Sequence, residues 1–533
     1  MRLGTIRTFP ENETCSHSFE DLNLKTPEAK TAAARVENRQ TAGRDVSSTH
    51  SRDRSLAGSL AWKAVADWAS QILSWASFLI VVRLLAPADF GVVAMAMAVL
   101  PYLRCVGDFG VTRVIINFPD LSDEQIGQLH TFSSALGVAC FSLAAAASYP
   151  IALFFRTPKL AGVVTAASFA LVLWGLRAVP EGLLTRELKF RLVSIFDAVN
   201  AIIAAVVTLA LAYFGYGYWA LVFGNIAGIA VRTVMILVAR PQRFAFPRIA
   251  EIRQQLQFGW HLLVSLVAMN SYQTLDNVTV GRVLGRSALG FYGMAWNLAN
   301  VPLEKITSLV TTVIPSYLAL VQKQPEEIRR YLGKLTEAMS LITFPATIGL
   351  GLVARELVPV AFGHKWDSAV PPLQILSMYA AFRSIVALLP KVLTAVGNPR
   401  FVMWCDLLAV CTLPIAFVAG SHWGTAGVAL GWVVAYPVVA LPLYWKTFTT
   451  IGMKASEYIS AVRPAIDGSA FMIAVVLLLK WKMPVATPLV VQLAAEIVAG
   501  AIIYVTIEFL FYRQRILVFL QLALTFRNRK SGM

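Results

Sequence analysis

The sequence predicts an all-α polytopic membrane protein of about 14 transmembrane helices, arranged as two pseudo-symmetric six-helix lobes plus two extra C-terminal helices. Three observations carry that prediction. Hydrophobic residues make up 57% of the 533 residues and charged ones only 14%, against roughly 25% charged in a soluble domain, so too little polar surface remains for solvation. Apolar runs long enough to span a bilayer, about 20 residues each, recur along the chain. Finally, Arg83-Leu-Leu-Ala-Pro-Ala-Asp-Phe-Gly91-Val-Val-Ala-Met95-Ala matches Arg282-Val-Leu-Gly-Arg-Ser-Ala-Leu-Gly290-Phe-Tyr-Gly-Met294-Ala in register, 199 positions on. Each stretch ends one apolar run and begins another, and a repeat on this scale sets the architecture.

Residues 1–57 are polar, mixed in charge and without an apolar signal core, which reads as a disordered cytoplasmic tail and not a cleaved leader. Spans are expected near 60–83, 91–115, 131–155, 160–180, 193–214 and 217–239, forming an N-lobe over 58–241. A basic linker covers 242–257. The C-lobe covers 258–447, with spans near 258–281, 290–319, 336–361, 369–395, 401–420 and 424–446. Two further spans, 464–483 and 488–511, occupy 448–512, and a basic tail runs over 513–533.

The net charge of +16 would suggest nucleic acid in a soluble protein, but here the cations gather in alternate loops. Arg186, Lys189 and Arg191 share one loop, Arg240, Arg243, Arg248 and Arg253 another, and Lys323, Arg329, Arg330 and Lys334 a third. The intervening loops are poorer in base, so both termini are expected in the cytoplasm. A six-span unit re-enters the membrane in the same sense, which relates the lobes by an axis along the membrane normal. The matching glycine-bearing stretches then become equivalent periplasmic turns that close each lobe's first hairpin. Five cysteines form neither a CxxC pair nor a metal spacing, and read as small buried hydrophobes. No Gly-rich phosphate loop, His/Cys cluster or GxSxG is present, so the chain is expected to be no enzyme, with no metal and no cofactor.

Further motifs add a resemblance. They are Val82-Arg-Leu-Leu-Ala-Pro-Ala-Asp-Phe-Gly91, Gly107-Asp-Phe-Gly110, Gly217-Tyr-Trp-Ala-Leu221, Asp276-Asn-Val-Thr-Val-Gly-Arg-Val-Leu-Gly285, Leu289-Gly-Phe-Tyr292 to Asn297, Phe362-Gly-His-Lys-Trp366, and Gly397 with Arg400. With these blocks in order from about Leu60 to Lys446, the chain resembles the polysaccharide transporter (Wzx-type oligosaccharide flippase) family of the multidrug/oligosaccharidyl-lipid/polysaccharide exporter superfamily. The resemblance implies movement of undecaprenyl-pyrophosphate-linked oligosaccharide across the bacterial inner membrane for exopolysaccharide, capsule or O-antigen, by alternating access of the lobes. Coupling to H⁺ or Na⁺, a monomeric state, and contact with a polysaccharide polymerase and chain-length regulator are further expectations. The alternatives are a lipid II flippase, a drug/cation antiporter of the same superfamily and, outside transport, a membrane glycosyltransferase or polymerase. The last usually needs a larger outer loop than any expected here.

Charge inside a membrane costs at least ~2.5–3.5 kcal/mol per side chain on insertion scales, and a pyrophosphate supplies a reason for cations. The candidates are Arg104, Arg177, Lys305, Arg383 and Lys391, with Asn297 and Asn300 for sugar hydroxyls. Arg104 with Asp108, and Arg177 with Glu181, are spaced i,i+4 and could instead neutralise one another. Asp276 and Asn277, with Asp108 and Glu181, are the ion-coupling candidates; Asp276 could equally pair with Arg282. Asp197 and Asp406 read as structural locks. Arg83, Arg282 and Arg355-Glu356 read as interfacial residues, and Pro180 and Pro390 as equivalent bends.

Overall fold

The computed structural model describes residues 74–118, 120–248, 250–311, 324–484 and 486–513, with side chains for all of these except 261–262, 264–266, 268–272 and 305–311. Both expected tails and the first half of the first span lie outside the described residues. Within those residues the chain is helical and contains no strand. The helices are α1 (Ser74–Leu84), α2 (Pro87–Met97), α3 (Leu100–Asp108), α4 (Val111–Asn117), α5 (Asp123–Phe154), α6 (Leu160–Arg186), α7 (Phe190–Tyr213) and α8 (Tyr218–Ala239). They continue with α9 (Arg253–Thr279), a π-helical turn (Val280–Leu284), α10 (Gly285–Thr311), α11 (Pro325–Leu352), α12 (Ala354–Phe362) and a 3₁₀ turn (His364–Ala369). The last are α13 (Val370–Val386), α14 (Leu389–Ala395), α15 (Pro399–Ser421), α16 (Gly424–Ile451), α17 (Ala455–Lys482) and α18 (Leu489–Phe511).

Eleven helical stretches among the described residues are long and apolar enough to cross a membrane. The expected fourteen is not reached by that measure: α1 is described only from Ser74, and α9 and α10 carry polar residues such as Gln273, Asp276, Asn277, Asn297 and Asn300. Local chemistry explains the boundaries. Ser122 and Gln125 form a capping box ahead of α5, with Asp123 and Glu124 in its first turn. The expected second span is broken three ways. Phe109 (φ 43°) and Gly110 (φ 67°) are both left-handed, so the Gly107–Gly110 motif is the turn that ends α3 and starts α4. Pro180 sits inside the continuous α6, whereas Pro390 opens α14 after a break, so the two prolines are not equivalent bends.

Within the N-lobe α5 lies along α6 and α7 along α8; in the C-lobe α15 lies along α16, and α13 contacts α10, α11 and α16. The linker is pinned to the N-lobe. Ala245 N–H donates to Thr131, and Ile252 is buried among Val111, Leu129 and Leu183. Hydrogen bonds from Gln128 (2.7 Å) and the adjacent Arg248 (3.1 Å) hold the Glu251 carboxyl below the usual carboxylate range.

The lobes meet at the end of the bundle where α1 turns into α2, and the meeting is reciprocal. Gly91 in α2 faces the Arg286 carbonyl in α10, and Gly290 in α10 faces the Pro87 carbonyl in α2; a Cβ at either glycine would overlap that oxygen. These are equivalent pairs of the repeat. Around the crossing, Trp366 Nε1 donates to the Val82 carbonyl (3.2 Å), while Lys365 Nζ donates to the carbonyls of Arg83 and Leu85 (2.7 Å each). Arg83, expected at the lipid interface, instead donates to the carbonyls of Val360 and Ala361. The α1 C-terminus leaves carbonyls without helical partners, and the opposite lobe supplies the donors. On the other side of the pseudo-axis, Phe155 packs on Gly281 and the Arg282 guanidinium lies 5.4 Å from the centre of the Phe154 ring.

α17 and α18 have no counterpart in the repeat. α17 packs along α11 and α18, and α18 also reaches α12. Lys480 on α17 fastens them: its Nζ lies 2.6 Å from Glu356, 3.2 Å from Glu496 and 2.8 Å from the Leu352 carbonyl. Glu356, expected at the interface, is therefore buried (6% exposed), because the extra helices cover it. A cavity of about 1120 Å³ opens beside this cluster, walled by Phe344, Ile348, Met378, Phe382, Ile466 and Leu477. Removing one member of a buried ion group costs about 3–5 kcal/mol because a buried charge is left uncompensated. Lys480→Met is therefore expected to lower the melting temperature of the detergent-solubilised protein markedly, and Lys480→Met/Glu496→Gln to recover part of the loss.

Candidate functional site

In the N-lobe, Arg177 and Glu181, one turn apart on α6, meet at 3.2 Å. Arg232, from the middle of α8, grips the same carboxylate with two nitrogens (2.9 and 3.2 Å) and reaches Asp197 on α7 through Nε at 2.7 Å. Two guanidinium groups and two carboxylates thus form a neutral network that ties three helices together. Arg177 and Arg232 are each 8% exposed, and that burial requires such mutual compensation. Arg177 keeps one buried nitrogen, Nη1, with no hydrogen-bond partner. Sequence reasoning singled out neither Arg232 nor its grip on Glu181. The signal was available as a lone arginine deep in an apolar helix.

The other N-lobe pair does not form. Arg104 lies 4.4 Å over the Trp174 ring and has no carboxylate within ion-pair distance among the described residues, while Asp108 accepts from the Thr112 hydroxyl at 3.3 Å. Arg104 is exposed in the protein and borders a small cavity of about 110 Å³ with Trp174 and Asn225. A guanidinium stacked on an indole retains its charge and donors for an anion.

The C-lobe brings Arg383 and Asn300 together: Arg383 Nη1 donates to the Asn300 side-chain oxygen at 2.9 Å, with the guanidinium 5.9 Å from the Trp296 ring. Asn297 is exposed one turn away. Lys391 and Asp406 are partly buried and have no ion-pair partner among the described residues. The Lys305 side chain lies outside the described residues. Trp296 also belongs to an aromatic cluster that sequence reasoning did not pick out, with Tyr379, Trp432 and Tyr436 at centroid separations of 4.9–6.1 Å. Its members come from α10, α13 and α16, so no local pattern announces it.

Asp276 is fully buried (0% exposed). Its partner is not Arg282 but a set of neutral donors. The Asn277 backbone N–H (2.7 Å), the Tyr292 hydroxyl (2.8 Å) and Trp432 Nε1 (3.2 Å) all point at the carboxylate. Trp432 Nε1 also reaches the Tyr292 oxygen at 3.1 Å. The node joins α9, α10 and α16. At the equivalent N-lobe position stands Ser77, whose hydroxyl donates to the Ala205 carbonyl at 3.5 Å. For Asn277, the contact at this node is its backbone N–H. The N-lobe ion network is built on α6, α7 and α8, the Asp276 node on α9, α10 and α16. Removing one partner of a buried hydrogen bond strands the other, at about 1–3 kcal/mol. Tyr292→Phe should lower the melting temperature in detergent by an amount in keeping with that cost, whereas Phe291→Leu, beside it in sequence, should change it less.

Comparisons with known proteins agree with this architecture. Residues 80–371, more than half of the chain, match the family profile described as polysaccharide biosynthesis protein. The chain is 24% identical over 424 residues to the lipopolysaccharide biosynthesis protein WzxC of Escherichia coli (strain K12), covering 76% of this chain and 84% of that one. It is 24% identical over 460 residues to the succinoglycan biosynthesis transport protein ExoT of Rhizobium meliloti (strain 1021), covering 85% and 92%. Among solved structures, the lipid II flippase MurJ superposes with a TM-score of 0.72 at 16% identity, covering 85% of this chain and 99% of that one. That likeness carries the fold alone: a polytopic helical bundle. The chain belongs to the polysaccharide biosynthesis protein family.

Proposed function

We propose that this protein is the flippase of a polysaccharide pathway, carrying an undecaprenyl-pyrophosphate-linked oligosaccharide from the cytoplasmic to the periplasmic leaflet of the bacterial inner membrane. Its family and its relatives in lipopolysaccharide and succinoglycan biosynthesis support the pathway. The single observation that carries the substrate class is a pair of cations in apolar helices with no carboxylate within ion-pair distance among the described residues. Arg104, exposed and stacked on Trp174, serves in the N-lobe, and Lys391 in the C-lobe. A lipid-linked pyrophosphate gives both a purpose that a neutral or cationic cargo does not. Arg383, oriented by Asn300, and the exposed Asn297 are the candidates for sugar hydroxyls. Arg177 is committed to its ion network and serves mainly to hold α6, α7 and α8 together.

On the positive-inside reading both termini are cytoplasmic, and the end where Gly91 meets Gly290 is periplasmic. At that end the lobes touch through the Gly91 and Gly290 crossing. Coupling through Asp276 suits a proton better than Na⁺: its three partners are donors, and the indole and backbone N–H groups cannot turn a lone pair toward a metal ion. Protonating the carboxylate would weaken its hold on Tyr292 and Trp432 and so loosen α9 from α10 and α16.

Deletion of the gene should abolish surface polymer while lipid-linked repeat units accumulate on the cytoplasmic side; normal polymer in the deletion strain would end the proposal. In complementation of that strain, Arg104→Ala and Arg383→Ala should each lose at least tenfold in polymer at unchanged membrane expression, with Arg104→Lys retaining more. In proteoliposomes, transport should follow a proton gradient and ignore a sodium gradient, and Asp276→Asn should abolish the proton dependence. A variant with coupling intact would remove Asp276 from the ion site.

A further inference from the structure

We propose that the crossing of α2 and α10 at Gly91 and Gly290 is the outer gate of the transport cycle, fastened among the described residues by a one-sided clasp of Arg83, Lys365 and Trp366. The proposal rests on the transport reading above, since it assigns a moving part to it. Three features of the crossing point to a contact that forms and parts as a unit. The approach is backbone on backbone: each glycine lies against a carbonyl of the opposing helix, and a Cβ on either would overlap it. Such a contact has no graded intermediate, because a single added methyl abolishes it. Second, the pairs Gly91–Arg286 and Gly290–Pro87 are exchanged by the internal repeat, so the crossing lies on the pseudo-two-fold axis. There, rotation of one lobe against the other separates the pair. Third, the hydrogen bonds around it run from side chains of one lobe to main-chain carbonyls of the other: Lys365 and Trp366 to the end of α1, and Arg83 back to Val360 and Ala361 of α12. Water can replace those donors when the lobes part.

The clasp is not symmetric. Around α1, two Lys365 bonds, one from Trp366 and two from Arg83 link the lobes. At the equivalent place around the end of α9, the contacts are Phe155 on Gly281 and Arg282 over Phe154. That side also carries the π-helical turn Val280–Leu284 and Gly285 at φ 87°, backbone features associated with local rearrangement. The gate therefore opens from the clasped side and pivots at the α9–α10 turn.

The test reads the gate directly. Leu289 is 0% exposed beside the crossing. In a cysteine-free background, Leu289→Cys reports access of a membrane-impermeant maleimide in spheroplasts. Gly91→Ala and Gly290→Ala should each raise labelling at least tenfold over the otherwise unchanged chain, with polymer export falling at least tenfold. Arg83→Ala and Lys365→Ala, which remove clasp bonds without adding bulk, should raise labelling several-fold, whereas Arg282→Ala should not. Labelling that stays at the reference level in alanine variants that remain monodisperse in detergent overturns the gate. If those two variants fail to fold, unchanged labelling in both clasp variants overturns it equally. Because labelling does not depend on cargo, raised labelling in a strain whose deletion leaves polymer normal would keep the gate and discard the flippase reading.

Discussion

Two backbones cross here closer than any side chain allows, and the rest of the structure is arranged around that approach. Gly91 and Gly290 let α2 and α10 meet carbonyl to Cα on the repeat axis. Van der Waals packing drives helix association in a membrane, where the hydrophobic effect gives little. The crossing therefore sets where the lobes touch and brings the exposed carbonyls of α1 within reach of Lys365 and Trp366. The core around it is continuous across the lobes: Val92, Met95 and Ala96 share one apolar cluster with Leu289, Tyr292 and Trp366.

Buried charge is handled differently in each part of the molecule. The N-lobe uses a closed network in which Arg177, Glu181, Arg232 and Asp197 cancel one another. In the C-lobe Asp276, 0% exposed, rests on neutral donors. The added helices place two acids, Glu356 and Glu496, on one lysine. The second arrangement leaves a carboxylate whose charge can change without stranding a buried cation. On the proposed function, this contrast is what assigns ion coupling to Asp276 and leaves Arg104 and Lys391 for an anionic cargo.

Much of the architecture and some of the site were legible in the residues themselves. Hydropathy anticipated the eleven membrane-length stretches seen among the described residues, though not the count of fourteen, and the matched Arg83–Ala96 and Arg282–Ala295 stretches announced the lobes. The i,i+4 spacing of Arg177 and Glu181 anticipated a pair that forms, because a helix brings such positions together whatever surrounds them. The same rule misled for Arg104 and Asp108, where Trp174 on α6 offers the guanidinium a competing face.

The sequence by itself determined the membrane class, the duplication and the family, since each follows from composition or from residues in fixed register. Tertiary structure decided everything that depends on which helices become neighbours. It gave Asp276 to Tyr292 and Trp432 in place of Arg282, drew Arg232 into the network of Glu181, and buried Glu356 beneath helices that begin about a hundred residues later. It also turned Arg83 from an interfacial anchor into a bond across the lobes. The physical reason is the same in each case: a charged or polar group in the membrane is satisfied by the nearest donor or acceptor in space, and sequence spacing reports that neighbour only within one helix.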